Sequence, residues 1–429
     1  MPPTGPGTRD TVAAQLQRDA MAATRDGLLS QTVEAVGDDG TITIRGRRLA
    51  NFGSCSYLGL WGREELKRAA IEGIEEFGVH FSSSRLYASL PYYPQLEDRL
   101  GRIFDGAHGI ATGTTTLGHL SALPSIIADE DAILIDRQAH SSLRLAASVL
   151  AARRVPIRTV EHADLADLEE AVADLSPSHQ KIWYVADGVY SMFGDRGPNA
   201  EVIDLLDDHP QLHAYIDDAH GFAWAGRHGR GVAVEDRALH PRLVLALSFA
   251  KAFGATGGAI VAADPVIAQQ VAFRGGPLMF GGPIQTADLA AAVAAADLLL
   301  SDAHEELRAR IEAQIDLVID RARAHGLVLT STDRTPIWFV ETGSFDRGRE
   351  VGRRMVEAGF WVNLSSFPVV PMGRAGIRFT NTLAQSDDQI DRLLETLAAA
   401  VADVGGGRVI DLTDAEAGVD GGAEAARRS

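Results

Sequence analysis

The chain has 429 residues, a formal net charge of −18, and 46% hydrophobic and 23% charged residues. These values are typical of a globular protein with a substantial core. The acidic excess argues against a nucleic-acid partner or an anionic membrane surface, since both need clustered cations. Cys55 is the single cysteine, which excludes an intrachain disulfide and a cysteine-based zinc site. The sequence shows no leader peptide and no apolar run of spanning length, so we predict a cytoplasmic protein without a membrane span or a metal site.

Residues 1–50 are predicted to form an N-terminal arm and a short hairpin. The first ten residues, MPPTGPGTRD, are rich in proline, glycine and polar residues, which is typical of a loose arm. The segment TITIRGRRLANF alternates apolar residues on both sides of a glycine turn, which predicts the hairpin.

Residues 51–300 are predicted to form a large domain in which strands alternate with helices. Amphipathic helices such as LADLEEAVADL (165–175) separate short apolar segments, and these strand candidates are AILID, IWYVAD, AYIDD, LVLALS and GAIVAA. Such alternation implies crossover connections, and therefore an α/β fold with a mostly parallel sheet covered by helices on both faces.

Residues 301–410 are predicted to form a smaller α+β domain. An alanine-rich helix (287–300) precedes it, and a long charged helix opens it. The strand candidates that follow are LVLTS, IWFVE, FWVNL and GIRFTN, and a final helix is predicted near 387–402. Residues 411–429 are small and polar, and we expect them to be disordered.

Polar residues follow the predicted strands of the large domain at the positions where parallel sheets bind ligands, outside the carboxyl ends of the strands. These residues are His140, Asp187, Ser191, Asp217, Asp218, His220, Ser248 and Lys251. Upstream, GIATGTTTLGHL predicts a strand, a turn of glycine and hydroxyl residues, and the start of a helix. The backbone N–H groups at such a helix start can bind an anion.

Lys251 is notable because the chain has three lysines, Lys67, Lys181 and Lys251, among 40 lysines and arginines. An isolated lysine after a strand is usually a solvated residue. Here, however, the sheet edge would also collect a carboxylate, two imidazoles, hydroxyls and a phosphate cradle, which is the set that pyridoxal 5'-phosphate (PLP) needs. Its aldehyde requires a lysine, because arginine is always protonated. A carboxylate beside the pyridine nitrogen keeps the ring able to accept carbanion charge.

Four motifs, in this order, resemble the α-oxoamine synthases: DRQAHSS, DGVYSMFGD, YIDDAHGFAWAGRHGRG and SFAKAFGATGG. That family includes 8-amino-7-oxononanoate synthase, 2-amino-3-ketobutyrate ligase, 5-aminolevulinate synthase and serine palmitoyltransferase. The resemblance covers roughly residues 45–400. It implies an aspartate-aminotransferase-like fold of type I, PLP as cofactor, and a homodimer with shared active sites.

The resemblance implies catalytic roles for residues around the cofactor ring. Lys251 would bond to the aldehyde and later remove the α-proton of the amino acid. Asp217 would be the partner of the pyridine nitrogen. His220, helped by Ser191, would hold the 3-oxygen, and His140 would stack on the ring.

The resemblance also implies binding residues for the phosphate and for the substrate. Gly113, Thr114 and Ser248 would hold the cofactor phosphate. Arg378, in GIRFTN, would bind the substrate carboxylate, for which a bidentate guanidinium suits the geometry. The other histidines of the site region, including His119 and His162, are predicted to be surface or helix residues.

The resemblance implies a PLP-dependent acyltransferase that condenses an amino acid with an acyl thioester, from coenzyme A or a carrier protein, to give an α-amino ketone. Several positions depart from the family pattern, namely Cys55, Ser56, Phe193 and the pair Gly281–Gly282. These departures leave an aminotransferase or a carbon–carbon lyase of the same fold as alternatives. A third possibility, a partner subunit without the catalytic lysine, is disfavoured by Lys251.

Overall fold

The computed structural model describes residues 8–405. Its N-terminal part contains a helix and three short strands, namely α1 (Thr8–Arg25), β1 (Ala35–Val36), β2 (Thr41–Ile44) and β3 (Arg47–Asn51). The predicted hairpin is confirmed, because β2 and β3 pair antiparallel around a turn at Arg45 and Gly46, which both have positive φ. Residues 1–7 of the predicted arm lie outside the described residues, and the helix that begins at Thr8 is not predicted from the sequence.

A seven-stranded sheet lies at the centre, with the spatial order β4-β10-β9-β8-β7-β5-β6. Its strands are β4 (His108–Thr112), β5 (Ala132–Asp136), β6 (Ile157–Val160), β7 (Ile182–Asp187), β8 (Leu212–Asp217), β9 (Leu243–Ser248) and β10 (Gly258–Ala262). β10 pairs antiparallel with β4 and β9, and the other pairs are parallel, so the predicted mostly parallel sheet is confirmed. Every residue of β7, β8 and β9 is buried, as their unbroken apolar runs predict.

Helices pack on both faces of this sheet, namely α2 (Glu64–Phe77), α3 (Tyr92–Ile103), α4 (Thr115–Ile126), α5 (Ser141–Ala152), α6 (Leu165–Leu175), α7 (Asn199–Asp208), α8 (Pro265–Arg274), α9 (Gly276–Phe280) and α10 (Thr286–Leu299). Alternate residues of β5 show the two faces: Ile133 and Ile135 pack with α4 and α5, whereas Leu134 belongs to the larger cluster on the other side. Within residues 8–405, no helix combines the length and the apolar character that crossing a membrane requires.

The C-terminal part contains three helices and four strands, namely α11 (Ala303–Ala324), β11 (Ile337–Gly343), α12 (Phe345–Glu357), β12 (Phe360–Trp361), β13 (Asn363–Ser365), β14 (Ala375–Thr380) and α13 (Asp387–Asp403). β11, β14 and β13 form a small antiparallel sheet, and β12 joins the N-terminal hairpin by pairing with β3. The predicted strand LVLTS is wrong. Its Thr330 N–H bonds to the carbonyl of Phe339, but residues 327–331 form no ladder. The predicted domain boundaries stay a prediction, and residues 411–429 lie outside the described residues.

The register of the central sheet brings the carboxyl ends of its strands together. Asp187, at the end of β7, is the direct neighbour of Asp217 at the end of β8. Asp217 in turn pairs with Ala246, two residues before Ser248 at the end of β9. The polar residues that follow these strands therefore meet at one edge.

Candidate active site

Asp217 is a buried carboxylate with partners for both oxygens. Its Oδ1 accepts a hydrogen bond from the backbone N–H of Ala219 at 3.0 Å, and its Oδ2 lies 2.9 Å from Nε2 of His119. Burial by itself raises the pKa of Asp217, but His119 and the charge of Lys251 more than compensate and hold that pKa below its ordinary value. The carboxylate is therefore ionised at neutral pH. Asp218, the next residue, accepts from the N–H of Ala233, and its burial raises its pKa to about 8.

Asp187 is a second buried carboxyl beside Asp217. Its Oδ2 accepts a hydrogen bond from the backbone N–H of His140 at 2.8 Å. Burial, and then the charge of Asp217, raise the pKa of Asp187 well above its ordinary value. Of these two adjacent carboxyl groups, Asp217 therefore favours the ionised form and Asp187 favours the protonated form.

Lys251 lies in the turn, residues 249–257, that joins β9 to β10. Backbone hydrogen bonds close this turn, from Phe249 N–H to the carbonyl of Gly257 and from Ala255 N–H to that of Phe249. Gly257 has φ +120°, and a Cβ there would lie 3.0 Å from the carbonyl oxygen of Thr112, so glycine is required. Burial lowers the pKa of Lys251, and Asp217 partly opposes that shift. The neutral form of this amine, which can act as a nucleophile or a base, is therefore populated at lower pH than for a lysine in water.

The start of α4 lies beside the end of β9. Thr114 caps α4 by accepting from the N–H of Leu117 at 3.1 Å. The hydroxyl of Thr115 donates to the carbonyl of Leu247, the residue before Ser248. Ser248 is buried, and its Oγ accepts from the N–H of Ala250. A helix N-terminus and two hydroxyl residues, predicted from separate motifs, thus lie together and can bind a phosphate.

His220 is buried, and its Nδ1 lies 2.7 Å from the hydroxyl of Tyr57. Burial lowers the pKa of His220 well below its ordinary value, so the ring is neutral. Burial also raises the pKa of Tyr57, so its hydroxyl keeps its proton and can donate a hydrogen bond to Nδ1 of the neutral ring. The remaining ring proton of His220 is therefore on Nε2, which makes Nε2 a hydrogen-bond donor.

His140 lies at the N-terminus of α5 and is exposed. Its Nδ1 lies 2.7 Å from the hydroxyl of Ser142, and its backbone N–H bonds to Asp187 as described above. Burial of part of the ring lowers the pKa of His140. A neutral imidazole with one accessible face is suited to stacking on an aromatic ring.

Arg378, on β14, is buried, and it connects the small sheet to the site. Its Nε donates to the carbonyl of Ser191 at 2.7 Å, and its Nη2 lies 3.7 Å from Sγ of Cys55. Ser191 thus contacts Arg378 through its backbone, a contact that the sequence does not predict. Burial raises the pKa of the Cys55 thiol, but Arg378 and Lys251 outweigh burial and bring it below the ordinary value.

A cavity of about 970 Å³ opens beside Lys251 and Cys55. Ser56 lines it next to Cys55, and Trp61 and Trp361 form apolar parts of its wall. A volume of this size accommodates a small-molecule substrate beside Lys251.

The model of the family "Aminotransferase class I and II" matches residues 47–397. An 8-amino-7-oxononanoate synthase of Maricaulis maris is 32% identical over 82% of this chain and 86% of its own. One of Thermosipho melanesiensis is 29% identical over 82% of this chain and 88% of its own. The chain belongs to the α-oxoamine synthase family. The predicted resemblance is therefore confirmed.

A solved structure of serine palmitoyltransferase from S. paucimobilis, with bound PLP, has a TM-score of 0.83 to this chain at 22% identity. It covers 91% of this chain and 98% of its own. At this identity the likeness shows the fold, and the predicted aspartate-aminotransferase-like fold is confirmed. The α-oxoamine synthases are PLP-dependent acyltransferases, which is the enzyme class and the cofactor predicted for this chain.

The side chains of this α-oxoamine synthase fit PLP. The amine of Lys251 suits the aldehyde, and the ionised Asp217 suits a protonated pyridine nitrogen. The Nε2–H of His220 can donate to a phenolate oxygen. Gly113 leaves room for an anion before the N-terminus of α4, since a Cβ there would have its nearest neighbour, in Leu117, at 3.5 Å.

Sequence reasoning missed two site residues of this synthase, His119 and Tyr57, and it placed Asp187 at the sheet edge without giving it a role. His119 was expected to be a surface or helix residue. It lies on helix α4, but it is fully buried against Asp217 and Tyr215. One signal was available, since His119 closely follows the predicted phosphate-binding turn and lies between Gly118 and Leu120 on the helix. Tyr57 gave no signal and Asp187 only its position at a strand end, because their roles depend on contacts between distant segments.

Two of the departures from the family pattern lie outside the cavity beside Lys251. Phe193 is buried, with its ring against Phe339 at 5.0 Å and the guanidinium of Arg374 4.8 Å from its centre. The carbonyl of Gly282 would lie 4.0 Å from a Cβ on Gly113, so the glycine pair approaches the start of α4 within the same chain. These two changes therefore leave the surroundings of Lys251 as they are.

Proposed function

We propose that this α-oxoamine synthase condenses an amino acid with an acyl thioester and releases carbon dioxide and a free thiol. The α-carbon of the amino acid loses a proton, and the electron pair forms a bond to the acyl carbonyl carbon, from which the thiolate leaves. The carboxyl group then departs as carbon dioxide, the α-carbon takes up a proton in its place, and the thiolate takes up a proton to become the free thiol. The product is an α-amino ketone. One observation supports the proposal above the others: Nη2 of the buried Arg378 lies 3.7 Å from Sγ of Cys55, and Cys55 lines one cavity together with Lys251.

Lys251, Asp217 and His220 would perform the proton chemistry. When bound, PLP supplies an aldehyde that takes up the amino group and a ring that accepts the electron pair of the breaking C–H bond. Lys251 would receive the α-proton on Nζ, a role favoured by its lowered pKa. Asp217 would hold a proton on the ring nitrogen through its negative charge. His220 would donate from Nε2 to the 3-oxygen, with Ser191 nearby.

The other predicted residues would bind and orient. Gly113, Thr114 and Ser248 would hold the phosphate at the start of α4, where backbone N–H groups are free. His140 would cover one face of the ring. Arg378 would bind the carboxylate of the amino acid, a pairing that fixes the α-carbon relative to Lys251.

The decisive experiment incubates the holoenzyme with a panel of amino acids, with and without acyl-coenzyme A. We expect release of free thiol and of carbon dioxide only when both substrates are present. Lys251→Ala, the matched variant, should release neither. Amine exchange with a keto acid, without thiol release, would establish an aminotransferase instead, and cleavage of the amino acid alone would establish a carbon–carbon lyase.

We also propose that the enzyme is a cytoplasmic homodimer, and that its acyl donor is carried by coenzyme A or a carrier protein. Support for a dimer comes from large apolar side chains exposed in the single chain, including Tyr87, Phe273 and Phe280. Light scattering during gel filtration would show twice the 45.7 kDa chain mass.

A further inference from the structure

We propose that His119 is a positioning residue that keeps Asp217 ionised and correctly oriented for the cofactor. His119 has 0% exposure and connects two side chains of β8. Its Nε2 lies 2.9 Å from Oδ2 of Asp217, and its Nδ1 lies 2.9 Å from the hydroxyl of Tyr215. Tyr215 and Asp217 are two residues apart on one strand, so both point to the same face, where α4 packs.

The proton positions in this group follow from burial. Tyr215 is fully buried, and burial together with the charge of Asp217 raises its pKa well above the ordinary value. Tyr215 therefore keeps its proton and, with a neutral His119, donates a hydrogen bond to Nδ1. The imidazole must then carry its own proton on Nε2, which donates to Asp217. Tyr215 thus favours the tautomer of His119 whose Nε2–H donates to Oδ2 of Asp217.

This arrangement compensates for the burial of Asp217. A carboxylate with so little solvent contact tends to take up a proton, and His119 is the main group that opposes this. The other charged or titratable groups that face Asp217 are Lys251 after β9, Asp187 at the end of β7, Asp218 beside it, and His140 before α5. Of these, Lys251 would be consumed in a bond to the cofactor, whereas His119 stays available throughout.

The inference rests on the binding of PLP at this site, and it holds for a condensation, an aminotransfer or a lyase reaction alike. Without the His119 hydrogen bond, Asp217 would be protonated at higher pH and would rotate more freely. Both effects weaken its pairing with the ring nitrogen. PLP affinity should therefore report the role of His119 without any substrate.

The test compares His119→Leu, His119→Gln and Tyr215→Phe with the wild-type holoenzyme. We expect the Kd of PLP for the His119→Leu variant to be about 10-fold or more above that of the wild type. The reason is that leucine leaves the buried Oδ2 of Asp217 without its hydrogen-bond donor. The pH below which PLP affinity falls should move upward. His119→Gln keeps an N–H donor and should restore part of the affinity, and Tyr215→Phe should give a smaller loss in the same direction.

His213→Asn is the matched control, because His213 is a buried histidine on the same strand, packed against Trp183. It should leave PLP affinity and its pH dependence unchanged. Folding of each variant is checked by circular dichroism. If His119→Leu does not fold, the Gln and Phe variants decide. Wild-type PLP affinity and pH dependence in all folded His119 and Tyr215 variants would overturn the inference, whereas absence of PLP binding by the wild type would instead overturn the proposed function.

Discussion

The hydroxyl of Tyr57 lies 2.7 Å from Nδ1 of His220, and both side chains are buried. Tyr57 comes from the segment after β3 and His220 from the loop after β8, so the contact joins segments 163 residues apart. It determines which nitrogen of His220 carries a proton. The N-terminal part of the chain thereby controls a hydrogen-bond donor of the active site.

Replacing Tyr57 by Phe should lower kcat/KM by about 10-fold, the equivalent of one lost buried hydrogen bond. The ring shape is kept, but Nδ1 of His220 loses its donor and both tautomers become available. Steady-state kinetics with the identified substrates would measure the loss. Tyr92→Phe, which changes a tyrosine on α3 that packs against Phe77, should leave kcat/KM unchanged. Equal effects of the two substitutions would contradict the role of Tyr57.

Replacing Arg378 by Lys should raise the KM for the amino acid by about 10-fold or more, because a lysine cannot form a bidentate pair with a carboxylate. It also loses the Nε donor that contacts the carbonyl of Ser191. Arg374→Lys is the matched control, since Arg374 lies on Phe193 and pairs with Glu341 outside the cavity. An unchanged KM in the Arg378 variant would refute the carboxylate-binding role.

Cys55 should react with iodoacetamide, and the amino-acid substrate should slow that reaction. As the single cysteine of the chain, it would give one label per molecule, which mass spectrometry can count. Burial raises its pKa, but Arg378 and Lys251 bring the pKa below the ordinary thiol value, so labelling should persist as the pH falls below that value. A carboxylate bound at Arg378 would occupy the space beside Sγ. The Cys55→Ser variant should remain unlabelled. A labelling rate that the amino-acid substrate does not change would argue against binding of its carboxylate beside Cys55.

His162 should stabilise the fold in a pH-dependent way. It lies between Asp136 and Asp195, and although burial lowers its pKa, these two carboxylates raise the pKa to about 9. Because the folded pKa exceeds the unfolded value of about 6.5, the stabilisation is complete below about pH 6.5 and is lost as the pH rises through about 9. Urea unfolding at several pH values would measure this decline.

His162→Gln should remove that pH dependence and lower the free energy of unfolding at neutral pH by about 1–3 kcal/mol. His80→Gln changes an exposed histidine and serves as the control. A decline between neutral and alkaline pH that persists in the His162 variant would show that another group is responsible. His162 lies partly exposed in a loop after β6, so the prediction of a surface or helix position did not foresee its two carboxylate partners.

The sequence predicted the parts of the site that depend on local pattern. An apolar run that ends in polar residues is visible within a single segment of the sequence. This pattern predicted the positions of Asp217 and Ser248, which end buried strands, and of Lys251, which follows one. His119 was missed because its partner Asp217 is 98 residues away, and a helical histidine does not reveal which strand its helix covers. The segment LVLTS has the composition of a strand but lacks a partner over most of its length. Helix α1 was not predicted, because the proline- and glycine-rich residues before it are typical of a loose arm.

The antiparallel strand β10 has a consequence for motion at the active site. Lys251 lies between two strands that are bonded to each other along their whole length, and the turn itself is closed by backbone hydrogen bonds. Amide hydrogen exchange in this hairpin should therefore require unfolding of the central sheet. With the ends of the connection held in this way, we expect the four side-chain torsions of Lys251 to supply most of the displacement of its amine during turnover.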